Sequence, residues 1–179
     1  MGEVYRPGED SYLLQKYVEM LVSGSVLDMG TGSGIQAVSA ALKNDVVHVL
    51  AVDINPAALI NAEKRAAEYH VLEKIEFRLS DLFFNIEECF DWILFNTPYL
   101  PSEGEADEVS WAGGESGGEI IRRFLVEVRD HLSENGSILM IYSSLSGLSE
   151  DDFSGYCFEL LEEMGLFFEK IYCVKLSPS

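Results

Sequence analysis

An α/β fold, with a largely parallel central sheet and helices on both faces, is what this sequence predicts. Three observations lead there. Short apolar runs at residues 25–29, 46–52 and 92–95 are too short for helices and suit strands buried on both faces. Stretches with helical periodicity alternate with them. Each run also ends on or beside a polar side chain, Asp28, Asp53 or Asn96, and open parallel sheets bind ligands just beyond the carboxyl ends of their strands.

The elements follow in order. Residues 1–8 are polar, hold Pro7 and Gly8, and read as a loop. Glu9, Asp10 and Ser11 put acceptors and negative charge at a helix start, after which Leu13, Leu14, Tyr17, Val18 and Leu21 recur with helical spacing. The strand at 25–29 leads through Gly30-Thr31-Gly32-Ser33-Gly34 into a helix over about residues 35–43. After the strand at 46–52 and Asp53, Asn55 suits a helix cap and Pro56 the first helical position, so a helix runs over about residues 56–69. Residues 74–79 alternate apolar with charged, which predicts a strand at the sheet edge, with Asp81 just past it. Prolines 98 and 101 stop the strand at 92–95, and a long loop reaches about residue 118. A helix over about 119–131, a strand at 137–142, a helix over about 150–164 and a last strand within 166–176 complete the order. No repeat or linker divides it, so residues 1–179 read as a single domain.

Composition narrows the class. No apolar run approaches the roughly 20 residues that span a bilayer, and the amino terminus lacks a secretory pattern, so no membrane association and a cytoplasmic location are expected. Twelve basic residues against 31 acidic give a formal charge of −19, which disfavours nucleic acid as a partner. Cys89, Cys157 and Cys173 lie far apart, giving neither a disulfide framework nor a metal site. No cysteine or histidine is assigned to catalysis.

The loop Asp28 to Gly34 lets the backbone turn tightly beside a ligand, yet it misses the dinucleotide fingerprint because Ile35 stands at the sixth position. An acid just before the loop opposes a pyrophosphate and suits a cation. S-adenosylmethionine, with a sulfonium, an ammonium and no phosphate, fits that charge pattern. Asp53 can accept both ribose hydroxyls, and Asp81 an adenine amino hydrogen. In Asn96-Thr97-Pro98-Tyr99, the Asn side-chain carbonyl and a neighbouring backbone carbonyl can take the two hydrogens of a planar NH2 group, with the Tyr ring against its plane. Alone, that segment reads equally well as a capped strand end before a turn.

Taken together, Asp28 to Gly34, Asp53-Ile54-Asn55-Pro56, Asp81-Leu82 and Asn96-Thr97-Pro98-Tyr99 resemble the motif series of Rossmann-like class I S-adenosylmethionine methyltransferases. The Asn-x-Pro-Tyr element resembles the amino-group branch. Val4-Tyr5-Arg6-Pro7-Gly8-Glu9-Asp10-Ser11 and Trp111-Ala112-Gly113-Gly114 resemble the eukaryotic and archaeal HemK-related enzymes, which methylate the Gln of the Gly-Gly-Gln loop in class I translation termination factors. The resemblance implies a cofactor site of Ser11, Asp28, Gly30, Gly32, Gly34, Asp53, Asp81, Leu82 and Asn96, with residues 1–24 covering it. It implies a catalytic group of Asn96, Thr97, Pro98 and Tyr99, no metal, and S-adenosylhomocysteine as product. It also implies a small zinc-binding activator at the sheet edge, for which residues 74–79 are the candidate. Separately, the glycine-rich stretch 111–118, following the catalytic segment directly, reads as a candidate substrate lid or a surface for the Gly-Gly-Gln loop, with a flexible connector before a helix as the alternative. Other acceptors with the same site are a protein lysine, an RNA or DNA adenine or a small molecule; a non-catalytic cofactor-binding module is the remaining alternative.

Two departures from the family carry expectations. The family usually has Pro where Thr97 stands, which predicts looser positioning there. The usual fold ends in a two-strand hairpin, and residues 165–179 barely supply one.

Overall fold

The structure, a computed structural model, describes residues 7–98 and 118–179. Tyr99 and most of the candidate lid lie outside the described residues. The elements are α1 (Glu9–Leu21), β1 (Gly24–Met29), α2 (Ile35–Ala41), β2 (Val46–Asp53), α3 (Pro56–Glu68), β3 (Ile75–Leu79), β4 (Phe90–Asn96), α4 (Gly118–Glu127), β5 (Leu132–Ser143), β6 (Tyr156–Gly165) and β7 (Lys170–Pro178). They build one seven-stranded sheet in the order β3-β2-β1-β4-β5-β7-β6. The first five strands in that order pair in parallel; β7 runs antiparallel to β5, and β6 antiparallel to β7.

Alternation along each strand divides the apolar residues between two cores. Val26, Val49, Ala51, Leu94, Leu139 and Ile141 face α1, α2 and α3 on one side. Leu27, Leu50, Val52, Ile93, Phe95 and Met140 face α4 on the other, where Phe124 is fully buried. Every side chain of α2 is buried, and α3 turns Ala58, Ala62 and Ala66 inward. Small residues allow close approach: a Cβ on Gly34 would stand 2.7 Å from the Ala62 Cα. Asn55 caps α3 by accepting from the Ala57 N–H at 2.9 Å, with Pro56 at its first position. Cys173 is buried and its thiol is pushed up to about 12 by burial, so it is an inert core residue. Among the described residues no helix is long and apolar enough to cross a membrane.

The helix expected over residues 150–164 does not form. A short 3-10 turn at Glu150–Phe153 is followed by the ten-residue strand β6. Leu160, Leu161, Glu162, Glu163 and Met164 are good helix formers, but Gly155 sits at φ 86°, outside helical space. Tyr156, Cys157 and Phe158 favour a strand beyond it. The deciding term is tertiary: β6 pairs with β7 from Tyr156↔Pro178 to Gly165↔Lys170, satisfying the outer backbone groups of β7. A register shift at Leu160/Glu162 makes Leu161 the extra residue, and it joins Met164 against the first core. The terminal hairpin is therefore complete, against the expectation that residues 165–179 barely supply one. β3 is the outer strand opposite β6, as the alternation at 74–79 predicts.

Candidate active site

The candidate residues lie at the carboxyl ends of four adjacent strands, in the order Asp81 after β3, Asp53 on β2, Asp28 on β1 and Asn96 on β4. At roughly 4.8 Å per strand, that rim extends about 14 Å.

Asp28 is 1% exposed and turned toward the glycine loop. Its Oδ2 accepts from the Thr31 hydroxyl at 2.6 Å and from the Ala37 N–H, in the first turn of α2, at 3.0 Å. Burial pushes its carboxyl up to about 7 against the effect of those bonds. Asp53 grips the loop from the next strand, its Oδ2 accepting from the Gly32 N–H at 2.9 Å and its Oδ1 from the Asn55 N–H at 2.8 Å. Burial raises it as well. The Thr31 N–H donates to the Val52 carbonyl at 2.8 Å, tying the same turn to β2. Both acids thus brace Gly30, Gly32 and Gly34, and each carboxylate retains lone pairs for a ligand.

Past β3 the arrangement loosens. Leu82 is 5% exposed, lies in the second core and holds φ 46°. The Ser80 hydroxyl donates to its carbonyl at 2.7 Å. Asp81 is half-exposed beside Arg123 of α4, at 3.4 Å. An exposed pair at that distance is weak enough for Asp81 to exchange it for a ligand.

Asn96 is held by the first turn of α1. Its Nδ2 donates to the Asp10 carboxylate at 2.9 Å and to the Ser11 hydroxyl at 3.3 Å, across the first turn of α1. A carboxylate only accepts, so this bond decides which end of the amide faces Asp10. The Oδ1 is consequently turned the other way, buried and without a hydrogen-bond partner among the described residues. A buried acceptor left unpaired costs about 1–3 kcal/mol, which a ligand N–H would relieve.

Thr97 is tied to β5: its hydroxyl donates to the Ile141 carbonyl at 2.8 Å and its N–H reaches the same oxygen at 3.3 Å. A proline has neither donor, so these two bonds are particular to the residue present here and offset the looser positioning expected without the ring. Pro98 follows it.

Two residues were not legible as parts of the site. Asp10 reads as a helix-start acid, and 85 residues of chain separate it from the amide it holds. Gln36 is 3% exposed; its Nε2 donates to the Ser11 carbonyl at 2.8 Å and its Oε1 is a second buried acceptor without a partner among the described residues. The one sequence signal for Gln36 is a lone amide in the apolar turn following the glycines. Asp10, Ser11, Gln36, Asn96, Asp28 and Asp53 make a rim rich in acceptors. That chemistry fits S-adenosylmethionine, which brings a cationic amine, ribose hydroxyls and an adenine amino group.

Comparison with known proteins finds methyltransferases. The family described as Methyltransferase small domain matches residues 8–151. The chain is 40% identical over 153 residues to a Methanocaldococcus jannaschii protein named as a protein N5-glutamine methyltransferase, covering 83% of this chain and 76% of that one. It is 38% identical over 148 residues to the release factor glutamine methyltransferase of Koribacter versatilis, covering 74% of this chain and 52% of that one. Against methyltransferase HEMK2 of Homo sapiens it is 31% identical over 153 residues, 78% of this chain and 72% of that one. The chain thus spans about three quarters of the first relative and about half of the second. Among solved structures, ribosomal protein L11 methylase of Lactobacillus delbrueckii subsp. bulgaricus aligns with a TM-score of 0.68 at 21% identity, covering 98% of this chain and 82% of that one. TrmK of M. capricolum, in complex with S-adenosyl-homocysteine, aligns with a TM-score of 0.67 at 15% identity, covering 92% of this chain and 67% of that one. At those identities the structural likeness is one of fold.

Proposed function

Because the chain belongs to the methyltransferase small domain family, among the HemK-related class I methyltransferases, we propose that it methylates the side-chain amide of the Gln in the Gly-Gly-Gln loop of a class I translation termination factor. The names of its relatives from M. jannaschii and K. versatilis support glutamine as the acceptor. The observation that carries the reading is the Asn96 amide, fixed by Asp10 so that a buried acceptor without a donor stands at the end of β4.

S-adenosylmethionine supplies, when bound, an electrophilic methyl on a positively charged sulfur. Ser11 and the glycine loop braced by Asp28 would hold its amino-acid end, Asp53 its ribose and Asp81 with Leu82 its adenine. Asn96 Oδ1 would accept one N–H of the substrate amide and the Thr97 carbonyl the other. An amide nitrogen is a weak nucleophile because its lone pair is delocalised into the carbonyl. Holding both N–H groups fixes the direction of that lone pair, and positioning of this kind is a large part of a barrier. As the nitrogen gains the methyl it loses one of its two protons to solvent. The two oxygens already accepting those hydrogens stabilise the positive charge that develops.

Activation by a small zinc-binding protein fits the outer strand β3. Its free edge can take an added strand, and Leu72, Leu79 and Phe84 beside it are exposed apolar residues. Arg78 is occupied by Glu76 at 2.6 Å and Glu88 at 2.8 Å, so it does not project from that edge as a free charge.

The test is transfer of labelled methyl to a purified archaeal class I termination factor and to its Gln→Ala variant, with and without the activator. Label on the intact factor alone is the expected result. Equal label on the variant moves the acceptor to another residue, and binding of S-adenosylmethionine without any transfer to the factor removes this substrate. Unchanged activity when the activator is added removes β3 as its seat.

A further inference from the structure

The turn between β6 and β7 carries the most exposed aromatic residues described: Phe167 is 100% and Phe168 93% exposed. Their rings stand 6.3 Å apart, tilted 40° to each other. This is a built turn. The Leu166 N–H donates to the Glu169 carbonyl at 2.8 Å, the Lys170 N–H to the Ser144 hydroxyl at 3.0 Å, and the Ser143 hydroxyl to the Glu169 carboxylate. Leu166 packs on the first core. The backbone beneath the two rings is thus tied to the end of β5, and Leu145, also exposed, lies in the turn that β5 enters.

Register puts this turn on the catalytic rim. Asn96 pairs with Ile141 across β4 and β5, and Ser143 pairs with Ile171 across β5 and β7. Two strand spacings sideways and two residues along place Ile171 about 12 Å from Asn96, and the two rings within about 20 Å. A protein that threads a glutamine to Asn96 and buries a standard interface of about 800 Å² per partner covers a patch of about 16 Å radius. The turn lies on the margin of that patch. Exposed aromatic side chains on a fixed backbone supply contact area with little conformational entropy left to lose.

Charge says which kind of surface meets them. Beside the turn stand Glu162, Glu163 and Glu169; Glu162 pairs with Lys16 at 2.5 Å and Glu163 with Lys170 at 2.7 Å, so the local excess of acid is small and the negative field comes chiefly from a chain of net charge −19. A partner face with arginines can stack on the rings and oppose the surrounding acids.

We infer that the Phe167–Phe168 turn is the docking contact for the acceptor protein, which meets it with a basic, arginine-bearing face while its glutamine enters the Asn96 site. This rests on the function proposed above and adds the surface by which the substrate is recognised as a folded protein. The test compares wild type with a Phe167→Ser/Phe168→Ser double variant on two substrates: the intact archaeal termination factor, and a short peptide containing Gly-Gly-Gln used at high concentration. The expected result is a ten- to hundredfold rise in KM for the intact factor, with kcat, peptide methylation, S-adenosylmethionine binding and thermal midpoint unchanged. An unchanged KM for the intact factor overturns the inference. An equal loss on the peptide also overturns it, by assigning the rings to the site itself. A wild-type enzyme that labels neither substrate instead fails the functional proposal, and the docking contact falls with it.

Discussion

The two flanks of the sheet use strands for different purposes. In β3-β2-β1-β4 the strands are short, parallel and, at β1, β2 and β4, buried on both faces; each ends on or just before a residue of the rim. In the β6–β7 hairpin the strands are long and antiparallel, and most side chains of β6 are exposed. The first flank positions the chemistry to within hydrogen-bond distances, because its backbone has nowhere to move. The second extends the sheet and presents a surface. Precision follows burial on both faces, and recognition area follows the edge that burial leaves free.

The sharpest test of that contrast is stability. Leu94→Ala, in a fully buried β4 position, is expected to cost about 2–5 kcal/mol, whereas Leu160→Ala in β6 should cost less than about 1 kcal/mol. Denaturant unfolding of both variants measures the gap, and equal losses would erase the distinction between the flanks. Next comes catalysis. Asn96→Ala should lower kcat/KM by about 10²–10³, with the loss in the methyl-transfer step larger than any loss of cofactor affinity. Single-turnover methyl transfer with calorimetry reads both. Asp10→Asn should follow in the same direction, since an amide at position 10 no longer decides which way Asn96 faces.

A third effect is set by pH. The folded-state carboxyl of Asp28 lies near 7, above its ordinary value of 3.8. Folding therefore favours the protonated form: stability is fully present below about pH 4, falls as pH rises toward 7, and levels off above it. Asp28→Asn keeps an acceptor for Thr31 and Ala37 and removes this slope. The variant should gain on wild type between pH 4 and 7 by an amount on the order of 4 kcal/mol in the ligand-free protein. Parallel stability curves would show that Asp28 is ionised in its buried site. The smallest effect belongs to the β3 edge, where the Arg78 guanidinium holds the Glu88 carboxyl down near 2. Glu88 is about half exposed, so Arg78→Ala should cost less than about 1 kcal/mol near neutral pH. That difference should fade as pH falls from about 4.5 toward 2, because protonating Glu88 removes the pairing in the wild type too.

Legibility followed the same division. Strands β1, β2 and β4, the cap at Asn55 and the edge position of β3 can be read from apolar runs, alternation and turn residues, since local periodicity and burial agree there. The acids and Asn96 were visible because each interrupts an apolar run at its end. Asp10 and Gln36 were not: their partners are hydrogen-bond acceptors and donors on other elements, and no local pattern encodes such a pair. The bond from the Thr97 hydroxyl to the Ile141 carbonyl is likewise invisible in sequence, because its acceptor lies on another strand.

By itself the sequence determined the doubly wound parallel half and the chemical types along its rim, because those depend on short-range periodicity and on charge. Only the tertiary structure decided that residues 156–165 form a strand. Their helical and extended preferences are closely matched, and the backbone groups of β7, which need partners, tip the balance. Only the tertiary structure, too, decided which way the Asn96 amide faces. That choice rests on a carboxylate brought in from the first turn of α1, and contact across such a separation exists only once the sheet has formed.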